Sequence, residues 1–136
     1  MRKGKWHLVV AATAIGAAAL MAMAPLPMIT HTASWSLDPG WYVRIPFAEI
    51  EPGSIVRFPI PERALPIAEK GNMDTSIPLL KRVEAITHDG RLIVKGDCGG
   101  ARSLDSGHFG PINPGEVNGV FTPLPFATDD CRGWER

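Results

Sequence analysis

Proline is the residue type that most limits what this chain can fold into. All thirteen prolines lie after residue 24, together with most of the fourteen glycines. Proline ends helices because it lacks a backbone N–H and clashes with the preceding turn, whereas glycine favours tight turns. The chain beyond residue 24 is therefore predicted to be mainly β, with short strands joined by turns and no long helix.

Local patterns place these strands. Residues 41–45 and 55–58 are rich in β-branched and aromatic side chains, and the Glu-Pro-Gly-Ser sequence at 51–54 predicts a turn between them. Residues 79–86 and 91–95 are predicted to pair around a turn that contains Asp-Gly, a strong hairpin signal. The segment 59–78 lacks periodicity and is predicted to be a long loop.

The N-terminal segment differs from the rest of the chain. Three basic residues precede an apolar stretch from Trp6 to Ala24, which as a helix would be about 28 Å long, close to the thickness of a bilayer core. Residues 1–29 are therefore predicted to form a transmembrane anchor, with 30–136 on the outer, periplasmic side. The sequence Ala22-Met23-Ala24 leaves open a cleaved signal peptide, in which case the domain would be periplasmic.

Size and charge narrow the possible functions. A chain of 136 residues has room for one membrane segment and one domain of roughly 100 residues. Its fourteen basic and fourteen acidic residues cancel, so no overall field attracts a polyanion, and nucleic acid is not expected as a partner. The two cysteines, Cys98 and Cys131, are candidates for a disulfide in an oxidising compartment.

Ser36 and Lys81 form the most definite chemical proposal in the sequence. A serine hydroxyl becomes a nucleophile when a neighbouring base removes its proton, and a buried lysine that has lost its own proton can be that base. Such a lysine needs an apolar pocket, because burial disfavours the charged form. Its walls are predicted among the apolar neighbours of Lys81, namely Leu79, Leu80, Val83 and Ile86.

Three ordered motifs surround these two residues, and together they resemble the motif set of type I signal peptidases. They are Ser-Leu-Asp-Pro at 36–39, Leu-Lys-Arg-Val at 80–83, and Ser-Leu-Asp-Ser at 103–106 followed by Phe-Gly at 109–110. The Pro-Gly-x-Tyr sequence after the first motif and the small size make the chain most similar to the TraF-type conjugative transfer peptidases. The resemblance implies a signal-peptidase or LexA-like coiled β-sheet domain preceded by one N-terminal transmembrane or signal helix.

The resemblance also implies roles for individual residues. Ser36 corresponds to the nucleophile and Lys81 to the general base, while Ser34 corresponds to a hydroxyl that assists the oxyanion hole. Ser103 matches the position that orients the lysine amine, and Asp105 matches the acidic residue of the third motif. This serine chemistry requires no cofactor and no metal ion.

The implied substrate is an exported precursor polypeptide cut close to the bilayer, most specifically a conjugative pilin precursor. In some relatives the N-terminus of the pilin itself captures the acyl-enzyme, so hydrolysis and cyclisation both stay open. A general signal peptidase with broad substrates is a further possibility.

Other interpretations remain beside the peptidase. The third motif lacks the arginine that usually follows Asp-Ser, since Gly107 stands there, which favours an inactive scaffold of the pilus machinery with the same fold. A histidine scheme would have His88 or His108 activate a serine with help from Asp89 or Asp105. A metal site among the His, Asp and Cys residues at 88, 89, 97, 98 and 108 matches no recognised ligand spacing.

Overall fold

A six-stranded antiparallel sheet dominates the computed structural model, which describes residues 3–22, 29–32, 36–98 and 103–125. The strands are β1 (Ile29–Thr32), β2 (Gly40–Ile45), β3 (Ile55–Phe58), β4 (Leu79–Ile86), β5 (Leu92–Lys95) and β6 (Gly119–Pro123). Their order across the sheet is β1-β2-β6-β3-β4-β5, and every neighbouring pair is antiparallel. The predicted mainly β domain is confirmed.

Short helical segments complete the described structure. They are α1 (Lys3–Ala22), α2 (Leu65–Lys70), α3 (Ser106–Phe109), and two 3₁₀ segments at Glu62–Ala64 and Pro114–Glu116. The helix α1 lies within the predicted N-terminal segment, and its large apolar side chains, such as Trp6 and Leu8, are exposed. In the part of the chain that the structure describes, no helix is long and apolar enough to cross a membrane.

The sheet buries side chains on both of its faces. Adjacent residues of a strand point to opposite faces, and here they enter two different apolar clusters. Val56 and Val120 belong to the larger cluster, whereas their neighbours Ile55 and Phe121 belong to a smaller one with Leu37. Through Leu37, the smaller cluster packs the chain next to residue 36 against the sheet.

Both predicted turns are present. The turn at 51–54 closes with a backbone hydrogen bond from Ser54 to Glu51 at 3.0 Å. The β4–β5 turn closes from Gly90 N–H to the Thr87 carbonyl at 2.9 Å, and Gly90 has φ of 82°, which a residue with a side chain rarely adopts. Strands β3 and β4 have the predicted bounds, and β4 pairs with β5 as predicted. Strands β2 and β3 do not pair with each other, because β6 lies between them.

The prediction of a long loop at 59–78 is wrong in its first half, where a 3₁₀ turn leads directly into α2. The helix is too short for a periodic pattern to show, and Pro66 lies in its first turn, where the missing N–H is not needed. Ala64 and Ala68, one helical turn apart, are fully buried in the larger cluster. The segment is therefore part of the core.

Two strands were not predicted. Strand β1 is short and polar and pairs only with β2 among the described strands, with His31 packed edge-on against Trp41 at 4.8 Å between ring centroids. Strand β6 lies in the middle of the sheet between β2 and β3, although it begins at Gly119 and ends at Pro123. Its partners, which are distant in sequence, supply the pairing that its own composition does not predict.

Candidate active site

Lys81 lies on β4, the strand next to the edge strand β5, directly opposite Val56 of β3. Because side chains alternate along a strand, Lys81 shares its face with Leu79 and Val83, and both belong to the larger apolar cluster. Two of the predicted walls are thus confirmed. The other two are wrong, since Leu80 is buried in the cluster of the opposite face and Ile86 is exposed.

The amine of Lys81 is fully buried, with a relative exposure of 0 %. Its Nζ is hydrogen-bonded to Ser36 Oγ, and it donates to Ser103 Oγ at 2.9 Å. Both serines are themselves buried. Three residues that are far apart in the sequence therefore meet in one enclosed polar cluster, as the motifs predicted.

Burial changes the acid–base behaviour of this amine. Loss of hydration lowers the pKa of Lys81 from 10.5 to about 8, and the negative charge of Asp105 partly opposes that shift. At neutral pH a usable fraction of the amine is then unprotonated. That form can accept the Ser36 proton through its lone pair while one of its N–H groups is held by Ser103.

This pKa predicts the pH dependence of cleavage. We expect kcat/KM to rise with pH through one step near pH 8, because Lys81 becomes a base only after losing its proton. If Lys81 had the pKa of an ordinary lysine, the step would lie at about pH 10.4. Initial rates with one fixed peptide, measured between about pH 6 and pH 10, report the position of the step.

His108→Asn is the matched control for the histidine scheme, since this residue lies near Asp105 but outside the Ser36–Lys81 pair. The step near pH 8 should persist in that variant. A step that disappears with His108, or one at the position of an ordinary lysine, would contradict the assignment of Lys81 as base.

Gly96, just after β5, lies close to both Ser36 and Ser103, and no sequence motif pointed to it. A Cβ at this position would lie 2.6 Å from Ser103 Oγ and 2.8 Å from the Ser36 carbonyl oxygen. Just beyond, the backbone N–H of Cys98 donates to the same Ser36 carbonyl at 3.2 Å. The turn after β5 therefore packs directly on the backbone that carries the nucleophile.

Cys98 itself is disulfide-bonded. Cys131, the other cysteine of the sequence, lies outside the described residues. A covalent link at Cys98 restrains the segment that follows Gly96 and so supports the close packing against Ser36.

Further hydrogen bonds support the segments on either side of the site. Arg82, next to Lys81 on β4, pairs with both carboxylate oxygens of Asp97, with Nη2 to Oδ2 at 2.7 Å, and its Nη1 donates to the Gly53 carbonyl. After the nucleophile, the buried Tyr42 hydroxyl donates to the Asp38 carbonyl at 2.8 Å, and burial raises the pKa of Tyr42 to about 12. Tyr42 is thus a stable neutral donor that fixes the turn after Ser36.

Ser103 lies in the segment before α3, and this segment places its hydroxyl next to Lys81. The hydroxyl of Ser106 accepts a hydrogen bond from the Val94 N–H at 2.9 Å, which attaches this segment to β5. With Gly96 leaving room on one side, the Ser103 hydroxyl reaches Lys81. The predicted orienting role of Ser103 has the required geometry.

Asp105 lies at the N-cap of α3 rather than in contact with the base. Its carboxylate accepts from Gly107 N–H at 2.9 Å and lies 3.4 Å from His108 Nδ1, and the structure contains no hydrogen bond between Asp105 and Lys81. Its influence on the amine is that of a nearby negative charge. The backbone N–H of Asp105 in turn donates to His108 Nδ1 at 3.4 Å, which completes a capping box at the start of α3.

The other predicted residues have simpler surroundings. Ser34 lies outside the described residues. His88 is exposed in the β4–β5 turn, and Asp89 pairs there with Arg91 at 2.8 Å. Within the described ranges, no group of three or more His, Cys, Asp or Glu side chains is arranged to hold a metal ion.

A cleft of about 490 Å³ opens beside the nucleophile. Ser36 lines it, whereas Lys81 lies behind it, out of contact with solvent. The walls of the cleft come from β1, from β3, from the start of β4 and from the segment before β4. Besides Ser36, the lining residues are Thr30, His31, Thr32, Arg57, Met73, Asp74, Ile77, Pro78, Leu79 and Leu80. The Ser36 hydroxyl therefore borders the cleft, while the Lys81 amine is shielded from water.

Two strand edges border this cleft, and no other described strand pairs with either of them there. Strand β1 is the last strand of the sheet, and residues 79–81 of β4 precede the first β4–β5 pair, Arg82 with Lys95. Such edges can pair with an added extended peptide.

Comparisons of the chain with protein-family models, with curated proteins and with solved structures each found no match.

Proposed function

We propose that this chain is a serine endopeptidase that uses Ser36 as nucleophile and Lys81 as general base. One observation carries the proposal: a fully buried lysine amine, with its pKa lowered to about 8, is hydrogen-bonded to a serine hydroxyl that borders an open cleft. Perturbed titratable groups beside a cleft are typical of catalytic sites. A purely structural lysine would instead extend its ammonium to water.

The geometry supports a two-step acyl transfer. As Ser36 Oγ attacks the scissile carbonyl carbon, its proton passes to Lys81 Nζ, and the tetrahedral oxyanion takes the carbonyl electrons. Collapse of that intermediate breaks the C–N bond, and the ammonium returns the proton to the leaving amine. The ester left on Ser36 is then attacked by water, or by an N-terminal amine, with Lys81 again accepting the proton. Collapse of this second intermediate breaks the bond between Ser36 Oγ and the acyl carbon, and Lys81 returns the proton to Ser36 Oγ as the acid or the cyclic amide leaves.

Other residues have supporting roles in this proposal. The Ser34 hydroxyl and the Ser36 N–H are proposed to donate to the oxyanion, which needs preorganised donors. Ser103 orients the amine so that its lone pair faces Ser36. Asp105 is a positioning residue that caps α3, and its negative charge keeps the lysine pKa from falling further.

For the substrate, we propose an exported precursor polypeptide, most specifically a pilin precursor, that enters the cleft as an extended strand. The free edges of β1 and of the first residues of β4 favour that mode of binding. The N-terminal segment supports export of the domain, as a retained anchor at the inner membrane or as a cleaved signal that leaves the domain in the periplasm. Substrate and enzyme would then meet at the outer face of the same membrane.

An inactive scaffold is the second candidate, and it was favoured by the missing arginine after Ser106. The hydrogen bond that the Asp105 carboxylate accepts from Gly107 N–H weakens that argument, since the carboxylate has a partner without the arginine. The scaffold reading also gives no reason for a buried amine at the nucleophile.

The test is to co-express the full chain with a candidate pilin precursor and follow the intact mass of the precursor. We expect a shortened product with the wild type and unchanged precursor with the double variant Ser36→Ala/Lys81→Met. A product lighter than the hydrolysed fragment by one water would identify cyclisation. Equal processing by wild type and double variant would refute the proposed function and leave the scaffold.

A further inference from the structure

Arg57 is the one arginine among the residues that line the cleft. It lies on β3 opposite Leu80, the residue before the base, and on the same face as Ile55. Its guanidinium carbon lies 5.7 Å from the centre of the Phe121 ring. A positive charge is thereby held within the cleft that Ser36 borders.

This guanidinium has an unused donor. Arg57 Nε is buried and has no hydrogen-bond partner, and no carboxylate among the described residues forms an ion pair with Arg57. The Phe121 ring attracts the face of the cation, but the N–H groups lie in the guanidinium plane and need acceptors of their own. An orphaned buried donor is costly unless something else supplies the acceptor.

Arg63 also lies against a phenylalanine ring and can be compared with Arg57. Its guanidinium carbon lies 5.9 Å from the Phe109 ring centre, but Nε donates to the Phe109 carbonyl at 2.6 Å and Nη2 to the Pro111 carbonyl at 2.8 Å. Both arginines thus lie against a phenylalanine ring. The Nε–H of Arg63 has a hydrogen-bond acceptor, whereas the Nε–H of Arg57 has none. The missing acceptor at Arg57 is specific to the cleft.

We infer that Arg57 binds a carboxylate of the polypeptide in the cleft, so that this site selects substrates with an acidic side chain near the scissile bond. Because Nε is buried in the free protein, the side chain has to turn its edge toward the cleft as the ligand enters. Nε–H and a terminal N–H then form a fork that matches two carboxylate oxygens. Asp74, the carboxylate on the cleft wall, is exposed and already accepts from the Ser76 hydroxyl and N–H, so it does not supply the missing acceptor. The inference rests on the proposed peptidase function.

The test uses the full chain and a series of alanine-rich peptides in which a single Glu is moved through successive positions, each with a matched Gln and Lys peptide. Cleavage by the wild type should favour Glu over Gln about tenfold or more in kcat/KM at one position. Arg57→Gln should abolish that preference while still cutting the Gln peptides, and Arg57→Glu should favour Lys at the same position. Arg91→Gln, which removes an exposed arginine from the β4–β5 turn, should keep the preference for Glu.

Binding of the same peptides to the Ser36→Ala variant, by fluorescence anisotropy, separates failure of this inference from failure of the peptidase proposal. Cleavage without a Glu preference overturns the role of Arg57 and leaves the peptidase standing. Absence of cleavage refutes the peptidase. In that case tighter binding of Glu peptides that Arg57→Gln removes still supports the carboxylate site, and equal binding of all peptides overturns it.

Discussion

Replacing Lys81 by methionine is expected to lower kcat for peptide cleavage by about 10⁴-fold or more, in line with loss of a catalytic base in other serine enzymes. Methionine fills a similar volume within the same apolar walls but has no lone pair that can take the Ser36 proton. Its side chain also lacks the donor that Ser103 accepts from Lys81. Single-turnover rates at saturating peptide measure the chemical step directly.

Two controls accompany this variant. Lys81→Arg keeps the charge but should be as inactive as Lys81→Met, because a guanidinium stays protonated and cannot act as a base. Adding Ser36→Ala to Lys81→Met should cost little further rate, since residues of one catalytic unit are not additive. Appreciable activity in Lys81→Arg would contradict the dyad.

A buried lysine at this position works against folding at neutral pH. The pKa of this lysine is 10.5 in the unfolded chain and about 8 in the folded protein. Between pH 8 and pH 10.5 the unfolded chain therefore binds more protons than the folded one, and the free energy of unfolding rises with pH. Below pH 8 the full penalty applies, about 3 kcal/mol at 1.36 kcal/mol for each pKa unit. A group that destabilises its own fold is typical of an active site.

The pairing of Ser36 with Lys81 could be predicted from the sequence because the motifs around them resemble those of type I signal peptidases. The resemblance also pointed to Ser103, whose hydroxyl does reach the amine. The sequence also contained the reason why Leu80 does not line the Lys81 pocket. Adjacent residues of a strand face opposite sides of the sheet, and Leu80 adjoins Lys81.

The rest of the site depends on contacts that no local pattern contains. Arg57 could be recognised as an unpaired cation only when its surroundings in the cleft were known. Strand β6 is held in the sheet by β2 and β3, both distant in sequence. Gly96, after a strand and before Asp97, has the sequence of an ordinary turn, and its closeness to Ser36 is a long-range contact.

Gly96→Ala is expected to reduce kcat/KM by about 100-fold, the order of loss that follows when reacting groups are displaced by about 1 Å. The added Cβ would meet Ser103 Oγ at 2.6 Å, the Ser36 carbonyl oxygen at 2.8 Å and Ser36 Cα at 2.9 Å. Two of these atoms belong to the backbone, which cannot turn aside as a flexible side chain can. The nucleophile must therefore shift relative to Lys81, or Ser103 must leave the amine.

Gly115→Ala is the matched control, because a Cβ on Gly115 has no atom within 4 Å. It should leave kcat/KM unchanged. Overpacking at Gly96 should also lower the free energy of unfolding by about 1 to 3 kcal/mol, so thermal unfolding of each variant is measured and rates are compared where both are fully folded. A folded Gly96→Ala variant that cleaves at the wild-type rate would show that close packing of the β5 turn on Ser36 is not needed to align the nucleophile with its base.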